Sequence, residues 1–423
     1  MMQGEITWDL EGRIQTFNQE AAKLFDYQPE EVIGKKRFFI FFPGLVVIGH
    51  IGQWLKKVHE TGELSVKTPL LRKNKTSFAA ELRIKSTFQN DKPTGFVGTV
   101  SPLTDVPVDS IMPEISNKTR FNAWIAILRA PFLTATVVPI LIGAAWAAYQ
   151  HQSVSFPWGI FVLVLIGGVL LHVAANTFND YYDWRSGTDP ANNDYFQPFS
   201  GGSRSMELGL ISERGLFHVA FGALVLASLI GVLLVFFCGP YLLLFGIIGA
   251  FSAFFYTAPP LRLSARKGLG ELFVGLNFGP LVVGGTVYSL TGSLSFSDFA
   301  VGIPIGLLTT AILWVNQFPD AKTDAATGKN HLVVLLGNKH ARWGYLFLLT
   351  LSFALIALGT VSRVLPLWGL LAFLPLPLAI YATSIVFRHY NDRSLIRASA
   401  ATIKLHMSVG LCFAVGLFVS SFF

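Results

Sequence analysis

This sequence contains little cysteine and little charge. The two cysteines, Cys238 and Cys412, both lie in apolar segments, so we interpret them as small core residues and exclude a disulfide framework. Charged residues make up 13% of the chain, whereas soluble domains carry about 25%. The N-terminus also lacks a basic stretch followed by an apolar core, so we expect no cleaved signal peptide. With 52% hydrophobic residues and a mean hydropathy of +0.53, the composition indicates a membrane protein, with a lipid bilayer and no nucleic acid as partner.

The charge is concentrated near the N-terminal end. Residues 1–105 carry many charged side chains, and residues 106–120 form a linker that contains proline and serine. In residues 121–423 the chain consists mainly of apolar runs of about 18 to 25 residues, which are long enough to cross a bilayer as helices. We therefore predict a small α/β domain followed by an all-α polytopic membrane domain of about nine transmembrane helices. The runs lie near residues 124–149, 157–181, 216–237, 239–257, 269–291, 297–319, 341–361, 366–387 and 403–423.

Lysine and arginine are distributed unequally among the loops between these runs. Loops after the even-numbered runs carry most of them, whereas loops after the odd-numbered runs carry only Arg363. Cytoplasmic loops usually hold the excess of basic residues. The pattern predicts a multi-pass protein of the inner cell membrane whose N-terminal domain and even-numbered loops lie on the cytoplasmic side. Most acids of the membrane domain fall in the same loops, so we expect the chemistry on that side.

Two matching acidic motifs end the second and sixth runs. Each consists of an asparagine followed by two acids, namely Asn176, Asp180 and Asp183, and Asn316, Asp320 and Asp324. Spacings of four, seven and eight residues place the three side chains of each motif on one helical face. Two facing carboxylate clusters repel each other unless cations lie between them, and Mg²⁺ is commonly held by carboxylates together with substrate phosphates. A solvated helix end would explain one such motif, but two matched motifs predict a site for Mg²⁺ and a diphosphate.

Basic residues follow the motifs in the intervening loops. Arg204 lies in the glycine- and serine-rich turn SGGSR, and Lys329 comes shortly after the second motif. We expect both to contact phosphate oxygens, to which the backbone amides of the turn could also donate. Arg262 follows Tyr256 and two prolines, and for it a lipid-headgroup role remains as open as a catalytic one.

These features resemble the UbiA-type intramembrane prenyltransferases over about residues 120–423. The resemblance rests on the paired motifs, the nine runs and the stretch YTAPPLRL. The stretches NDYYDWRSGTD, SGGSR, GLGELFVGLNFGP and GKNHLVVLLG are most similar to the 1,4-dihydroxy-2-naphthoate polyprenyltransferases of menaquinone biosynthesis. The resemblance implies Mg²⁺-dependent transfer of a polyprenyl group from polyprenyl diphosphate to an aromatic acceptor.

The resemblance also implies three groups of functional residues. The metal ligands would be Asp180, Asp183, Asp320 and Asp324. The substrate-binding residues would be Asn176, Asn316, Arg204, Lys329, Tyr256 and Arg262. The catalytic residues would be Asp183, which is also a metal ligand, Arg204 and Lys329. Together with the metal, the two cations would neutralise the departing diphosphate and so favour ionisation of the allylic C–O bond. Asp189 and Asp194 are weaker candidates for a second metal contact or for positioning the acceptor.

The chain departs from the family pattern at GKNHL, where relatives commonly carry G-K-x-T-L. His331 stands in place of the usual threonine, and Asn330 in place of a residue that is often basic. We expect His331 to be an interfacial histidine without a specific role, and not a proton acceptor.

Residues 1–105 resemble a PAS domain. Their first third predicts a strand, a D-x-x-G turn, a second strand and a short helix, and residues 66–105 predict three strands joined by the turns RKNKTS and QNDKP. The region contains no cysteine, which excludes a photoreactive flavin–cysteine site. We interpret His50 and His59 as structural and not as haem ligands. We expect a sensory or dimerisation module through which the protein would form a homodimer.

Other functions remain open from the sequence alone. The acceptor of a prenyltransferase could instead be 4-hydroxybenzoate, homogentisate, a chlorophyllide or a glycerol-phosphate lipid. A transporter is the main rival class, because intramembrane acids often mark ion pathways. The acids here are clustered at one membrane boundary, which favours an enzyme. A membrane-bound PAS receptor would need an output motif, and we find none.

Overall fold

The computed structural model describes residues 3–150, 155–193, 195 and 199–423. The chain forms two compact units. The first consists of Met1–Ile127 with Arg204–Ser212, and the second of Leu128–Ser203 with Glu213–Phe423.

The first unit is built on a five-stranded antiparallel sheet with the strand order β2-β1-β5-β4-β3. The strands are β1 (Gly4–Asp9), β2 (Ile14–Phe17), β3 (Glu63–Leu71), β4 (Ser77–Gln89) and β5 (Lys92–Pro102). Helical segments connect β2 to β3 and follow β5. They are α1 (Gln19–Phe25), α2 (Pro29–Val32), a 3₁₀ turn (Phe38–Phe41), α3 (Gly44–Val46), a π turn (Val47–Ile51), α4 (Gly52–Thr61), a second 3₁₀ turn (Val108–Ile111) and α5 (Asn117–Ile127). The small α/β domain expected at this end of the chain is confirmed.

The turn between β1 and β2 follows directly from the D-x-x-G sequence. The side chain of Asp9 accepts hydrogen bonds from the backbone amides of Glu11 and Arg13, both at 2.9 Å. Gly12 has a φ of 84°, a left-handed conformation that favours glycine. Aromatic rings fill the space beside the sheet: Trp8 stacks on Phe38 with their centroids 3.7 Å apart.

The two histidines of this unit have ordinary surroundings. His50 donates through Nε2 to the backbone carbonyl of Glu114 at 3.0 Å, and His59 is exposed on α4.

Residues Arg204–Ser212 fold with the first unit although they come from a much later part of the chain. Glu207 is the main anchor of this segment. Its carboxylate pairs with Arg204 at 3.2 Å and with Lys36 at 3.4 Å, and Lys75 donates to its backbone carbonyl at 3.4 Å. Burial lowers the pKa of Lys75, and Glu207 partly opposes that shift.

The second unit is helical. Its helices are α6 (Thr134–Gln150), α7 (Trp158–Arg185), α8 (Thr188–Ala191), α9 (Glu213–Cys238), α10 (Leu242–Phe255), α11 (Leu269–Leu276), α12 (Val282–Thr291), α13 (Phe296–Ala300), α14 (Ile303–Ala326), α15 (Leu332–Leu336), α16 (Asn338–Val361), α17 (Leu376–His389) and α18 (Ile396–Ser420). The shorter turns are Ala130–Leu133, Leu263–Ala265, Asn277–Leu281, Leu367–Phe373 and Arg393–Leu395. Large apolar side chains such as Phe236 and Val361 point outward, as expected for a surface in contact with lipid.

In the described part of the chain, eight helical segments are long and apolar enough to cross a membrane. The polytopic helical fold is thus confirmed, with differences in the fourth and the first predicted runs. There α10 has only 14 residues, which corresponds to about 21 Å of helix and is shorter than the hydrocarbon core. Gly239 and Pro240 precede it, and Pro259 and Pro260 follow it closely, so the helical part of the run is short.

The first run also differs, because a break divides it. Helix α5 ends at Ile127, and Arg129 adopts a left-handed conformation with a φ of 51° before the candidate span begins at Ala130.

The acid Asp298, at the start of the sixth predicted run, is buried and has a structural role. It is 2% exposed and accepts hydrogen bonds from the indole Nε1 of Trp146 at 2.8 Å and from the backbone amide of Ser295 at 2.6 Å. With Ser295 it forms a capping box at the start of α13, so one carboxylate joins α6 to α13.

We expect Asp298→Ala to destabilise the protein strongly. The change leaves the buried indole N–H of Trp146 without an acceptor, which lowers the free energy of unfolding by about 1–3 kcal/mol. It also removes a helix cap that contributes about 1 kcal/mol. Thermal unfolding in detergent measures the effect. The control is Asp392→Ala, which removes a cap from a half-exposed carboxylate. An equal loss in both variants would contradict the role of the buried indole contact.

Candidate active site

Helices α7 and α14 present the two acidic motifs in their last turns. Asn176, Asp180 and Asp183 lie near the end of α7, and the second motif lies near the end of α14. The long apolar part of each helix runs up to its motif, so the acids stand where an apolar segment meets the loops. Asp180, Asp183 and Asp324 are buried, and each accepts hydrogen bonds from other elements.

Basic side chains compensate the first motif. The Lys329 Nζ lies 2.8 Å from Asp183, to which Asn179 also donates at 3.2 Å. The Arg129 Nη1 lies 3.4 Å from Asp180 and 3.1 Å from the side-chain oxygen of Asn179. The first acidic cluster therefore contains two cations from distant parts of the chain.

The second motif receives neutral donors and a histidine. Asp320 accepts from the Asn192 side chain at 2.7 Å and from the Gly201 backbone amide at 3.1 Å. Asp324 accepts from the His331 Nε2 at 3.0 Å.

Lys329 connects the two motifs. Its ammonium bonds Asp183 of α7, while its backbone amide donates to the Asp324 carbonyl of α14 at 2.8 Å. Burial disfavours the charged ammonium, but the carboxylates of Asp183 and Asp324 outweigh that effect and raise the pKa of Lys329 above its ordinary value. Lys329 therefore remains a cation between the two helices.

The turn at residues 199–203 also contacts both motifs. Its Gly201 amide donates to Asp320, and its Ser203 amide donates to Asp180 at 3.3 Å. Gly202 has a φ of 73°, and a Cβ at this position would collide with the Asp189 carboxylate. Glycine is required here because both the backbone conformation and the available space exclude a side chain.

A cavity of about 560 Å³ extends from this polar region into the helices. Its polar end includes Arg129, Asp183, Asp320, Asp324 and Lys329. The remaining wall is mostly hydrocarbon and includes Val164, Leu171, Ile230, Leu234, Phe245 and Phe278. Such a shape suits a ligand with a charged head and a long apolar tail.

The side-chain oxygens of the two motifs are suitable ligands for a divalent cation. Asp180 Oδ2 and Asn316 Oδ1 are both buried, and neither has a hydrogen-bond partner among the residues described. Carboxylate and amide oxygens are the ligands that Mg²⁺ prefers. Within the same residues no three His, Cys, Asp or Glu side chains are grouped closely enough to hold a metal alone. Oxygens of a bound diphosphate would have to complete the coordination.

The structure brings together most of the residues singled out in the sequence. Asn176, Asn316 and Tyr256 line the cavity with the acids and Lys329. Arg262 instead lines a second cavity with Arg266 and Lys267. Their predicted substrate-binding roles remain predictions.

Three further predicted residues are Arg204, Asp189 and Asp194. The guanidinium of Arg204 pairs with Glu207, and its catalytic role remains a prediction. Asp189 lines the cavity, whereas Asp194 lies outside the described residues.

Sequence reasoning missed Arg129, Asn179 and Asn192. Arg129 precedes the acids by about fifty residues and reaches them only because the chain bends at its left-handed backbone. The R-x-P sequence at the break in the first apolar run was the one available signal. Asn179 lies inside the first motif, four residues before Asp183, and this helical spacing could have indicated its contact. Nothing in the sequence indicates the contact of Asn192 with Asp320.

The expectation that His331 has no specific role was wrong. This histidine is 1% exposed. Its Nδ1 accepts from the Val334 backbone amide and caps α15, so its Nε2 carries the proton that is donated to Asp324. The residue that replaces threonine in GKNHL thus holds the last acid of the second motif in place.

Sequence comparison matches residues 136–409 to the UbiA prenyltransferase family and residues 3–103 to the PAS fold. The first match covers more than half of the chain. This chain belongs to the UbiA prenyltransferase family. It is therefore a prenyltransferase, and the rival transporter interpretation is excluded.

Individual relatives agree with this UbiA assignment. The chain is 30% identical over 307 residues to the 1,4-dihydroxy-2-naphthoate octaprenyltransferase of Escherichia coli (strain K12), with 71% of this chain and 96% of that protein covered. It is 27% identical over 300 residues to the enzyme of the same name from Bacillus subtilis (strain 168), with 70% and 92% covered. The apo structure of a UbiA homolog from Aeropyrum pernix K1 matches with a TM-score of 0.51 at 16% identity, covers 67% of this chain and 97% of that one, and shows the shared fold.

We expect Lys329→Met to destabilise this UbiA-family protein by about 3 kcal/mol, because the buried carboxylates of Asp183 and Asp324 lose the cation between them. Thermal unfolding in detergent provides the measurement. Lys322→Met is the matched control, since Lys322 is exposed on the same helix as the second motif. If both variants unfold at the wild-type temperature, Lys329 does not compensate the acids.

Proposed function

We propose that this chain transfers a polyprenyl group from a polyprenyl diphosphate to 1,4-dihydroxy-2-naphthoate in a Mg²⁺-dependent reaction of menaquinone biosynthesis. One observation carries the proposal: two acidic motifs meet, through Lys329 and the 199–203 turn, at the polar end of a long apolar cavity. The names of the curated relatives support the naphthoate acceptor.

The acids and amides of the two motifs would hold the diphosphate end of the substrate. Asp180, Asp183, Asp320 and Asp324 are the proposed metal ligands, and Asn176 and Asn316 border them. Bound Mg²⁺ would supply Lewis acidity that stabilises negative charge on the diphosphate oxygens. The unpartnered oxygens of Asp180 and Asn316 support this assignment.

Cations at the same end would promote cleavage of the allylic C–O bond. The diphosphate gains charge as it departs, and Arg129 and Lys329 lie beside the acids that would hold it. Fixed charges in a site shielded from water stabilise such developing charge far more than they would in solution. Arg204 would contribute to the same task. The allylic cation would then alkylate an electron-rich carbon of the acceptor ring, and that carbon would lose its proton, or its carboxylate as CO₂, to restore the aromatic ring.

The apolar wall of the cavity would hold the prenyl tail. Its hydrocarbon side chains offer no hydrogen bonds, which matches the chemistry of a polyprenyl chain. Excluding water there also protects the allylic cation from hydrolysis. Tyr256, which also lines the cavity, would contact the substrates.

The proposed location is the inner cell membrane, with the active site and the first unit on the cytoplasmic side. The excess of Lys and Arg in the loops that follow the acidic motifs supports this orientation.

We further propose that residues 1–105 act as a PAS-type regulatory or dimerisation domain, that residues 106–120 are a linker, and that residues 121–423 form the transferase domain. The specific support for regulation is the segment Arg204–Ser212, which begins with a proposed catalytic arginine and folds with the first unit. Glu207 binds Arg204, Lys36 and Lys75. A change in the first unit that displaces this segment would move Arg204.

The reaction is tested on membranes that contain the full-length protein. With labelled polyprenyl diphosphate, 1,4-dihydroxy-2-naphthoate and Mg²⁺, we expect a lipid-soluble prenylated product that disappears with excess chelator. Product only with 4-hydroxybenzoate, homogentisate, a chlorophyllide or a glycerol-phosphate lipid would keep the diphosphate site and overturn the acceptor. Asp180→Asn and Asp320→Asn should each lower turnover by about 100-fold or more, because each removes a charge from the site. Asp392→Asn, on an exposed acid, is the control and should retain activity.

The regulatory proposal is tested with a pair of glycine substitutions in the first unit. A Cβ at Gly44 would collide with the Leu208 carbonyl, whereas a Cβ at Gly52 would meet open space. We expect Gly44→Ala to displace the segment and lower kcat several-fold, and Gly52→Ala to leave kcat unchanged. If both variants are folded and both keep the wild-type kcat, the first unit does not act through this segment.

A further inference from the structure

A histidine lies deep in the membrane domain, in the wall of the main cavity. His172 is buried on α7, eight residues before Asp180, which corresponds to about 12 Å along the helix. Spacings of four, three and four residues place it on the same helical face as Asn176, Asn179 and Asp183. All four of these side chains line the cavity. His172 therefore faces the same space as the diphosphate site, but from a greater depth.

The ring of His172 is fixed on one side only. Its Nδ1 shares a hydrogen bond of 2.7 Å with the Thr136 hydroxyl of α6, and its ring packs against Phe278 with the centroids 4.7 Å apart. No residue in the described ranges hydrogen-bonds its Nε2. Ionisable side chains inside membrane proteins are costly and usually face a pathway or a ligand. The position and fixed orientation of this ring point to a ligand group at Nε2.

A second intramembrane histidine provides the contrast. His406 also pairs with a threonine, with its Nε2 at 3.0 Å from the Thr309 hydroxyl. Its other nitrogen, Nδ1, is sealed inside the protein, and His406 is not part of the cavity wall. The two histidines thus share their threonine pairing and differ in their access to the cavity.

The chemistry of the two substrates decides which one His172 would contact. A prenyl tail consists of hydrocarbon and would leave Nε2 without a hydrogen bond, at a cost in free energy. A ring hydroxyl both donates and accepts, so it fits Nε2 whichever nitrogen carries the proton. A carboxylate only accepts, and it is better matched by Arg129 and Lys329 at the polar end.

We propose that His172, oriented by Thr136, binds a ring hydroxyl of the aromatic acceptor and so selects hydroxylated naphthoates. This inference rests on the proposed transfer to a naphthoate and adds a binding residue for the acceptor. The carboxylate end of the acceptor would lie toward the cations, and the hydroxyl would lie toward the interior of the membrane.

The test measures equilibrium binding by the full-length protein in detergent, from quenching of tryptophan fluorescence, so that it does not depend on turnover. The ligands are 1,4-dihydroxy-2-naphthoate and the two analogues that each lack one hydroxyl. We expect one analogue to bind the wild type about tenfold more weakly, which is the size of one neutral buried hydrogen bond.

Two substitutions of His172 distinguish the contributions of its two ring nitrogens to ligand binding. The side-chain amide of asparagine reaches about as far as Nδ1, and that of glutamine about as far as Nε2. We expect His172→Asn to bind 1,4-dihydroxy-2-naphthoate and the weaker-binding analogue with equal affinity. We expect His172→Gln to keep most of the wild-type preference for 1,4-dihydroxy-2-naphthoate. His406→Asn is the matched control and should keep the full preference. Thermal unfolding of each variant shows that the compared proteins are folded.

The possible failures are distinguishable. If His172→Asn keeps the wild-type preference, or changes only the affinity for polyprenyl diphosphate, the hydroxyl contact is overturned and the proposed reaction stands. If the wild type binds and prenylates no naphthoate, the proposed acceptor is overturned, and the inference about His172 falls with it.

Discussion

Buried carboxylates at the ends of apolar helices need cations and hydrogen-bond donors around them, and the active-site region is organised by this requirement. Asp180, Asp183, Asp320 and Asp324 lie on only two helices, and their partners, except for Asn179 of α7, come from outside these two helices. The partners are Arg129, Asn179, Asn192, Gly201, Ser203, Lys329 and His331. The acids thereby determine where the loops after α7 and α14 lie.

The same arrangement prepares the site for an anion. Arg129 and Lys329 are held in place by the carboxylates, so their positive charges are already fixed where a diphosphate would arrive. The Gly201 and Ser203 amides, which now donate to Asp320 and Asp180, belong to a turn whose backbone lies close to both motifs. Preorganised charges and dipoles of this kind need little rearrangement when negative charge develops. Structure and proposed catalysis therefore rely on one set of electrostatic contacts.

Much of the fold and part of the site could be predicted from the sequence. Helical spacing placed each motif on one face, and proximity along the chain singled out Lys329. Arg129 could not be found in this way, because its contact with Asp180 depends on the interruption of the helix after Ile127 and on tertiary packing against α7. The Asp320 contacts with Asn192 and Gly201 are also tertiary. The short helix α10 was missed because hydropathy records an apolar run without its interruption by glycine and proline.

The order of side chains along α7 follows the free-energy cost of placing each type of side chain at a given depth in a membrane. From its end inward, one face presents the charged Asp183, the amides of Asn179 and Asn176, the imidazole of His172, and then the surfaces of Gly168 and Val164. Charge is least costly at the boundary, where cations and loop amides can surround it. A single neutral polar group is acceptable deeper when a neighbour such as Thr136 satisfies one of its nitrogens. Hydrocarbon suits the rest. The two proposed substrates together show the same order of decreasing polarity: the diphosphate, the aromatic acceptor and the polyprenyl tail. One face of α7 can therefore align these three groups.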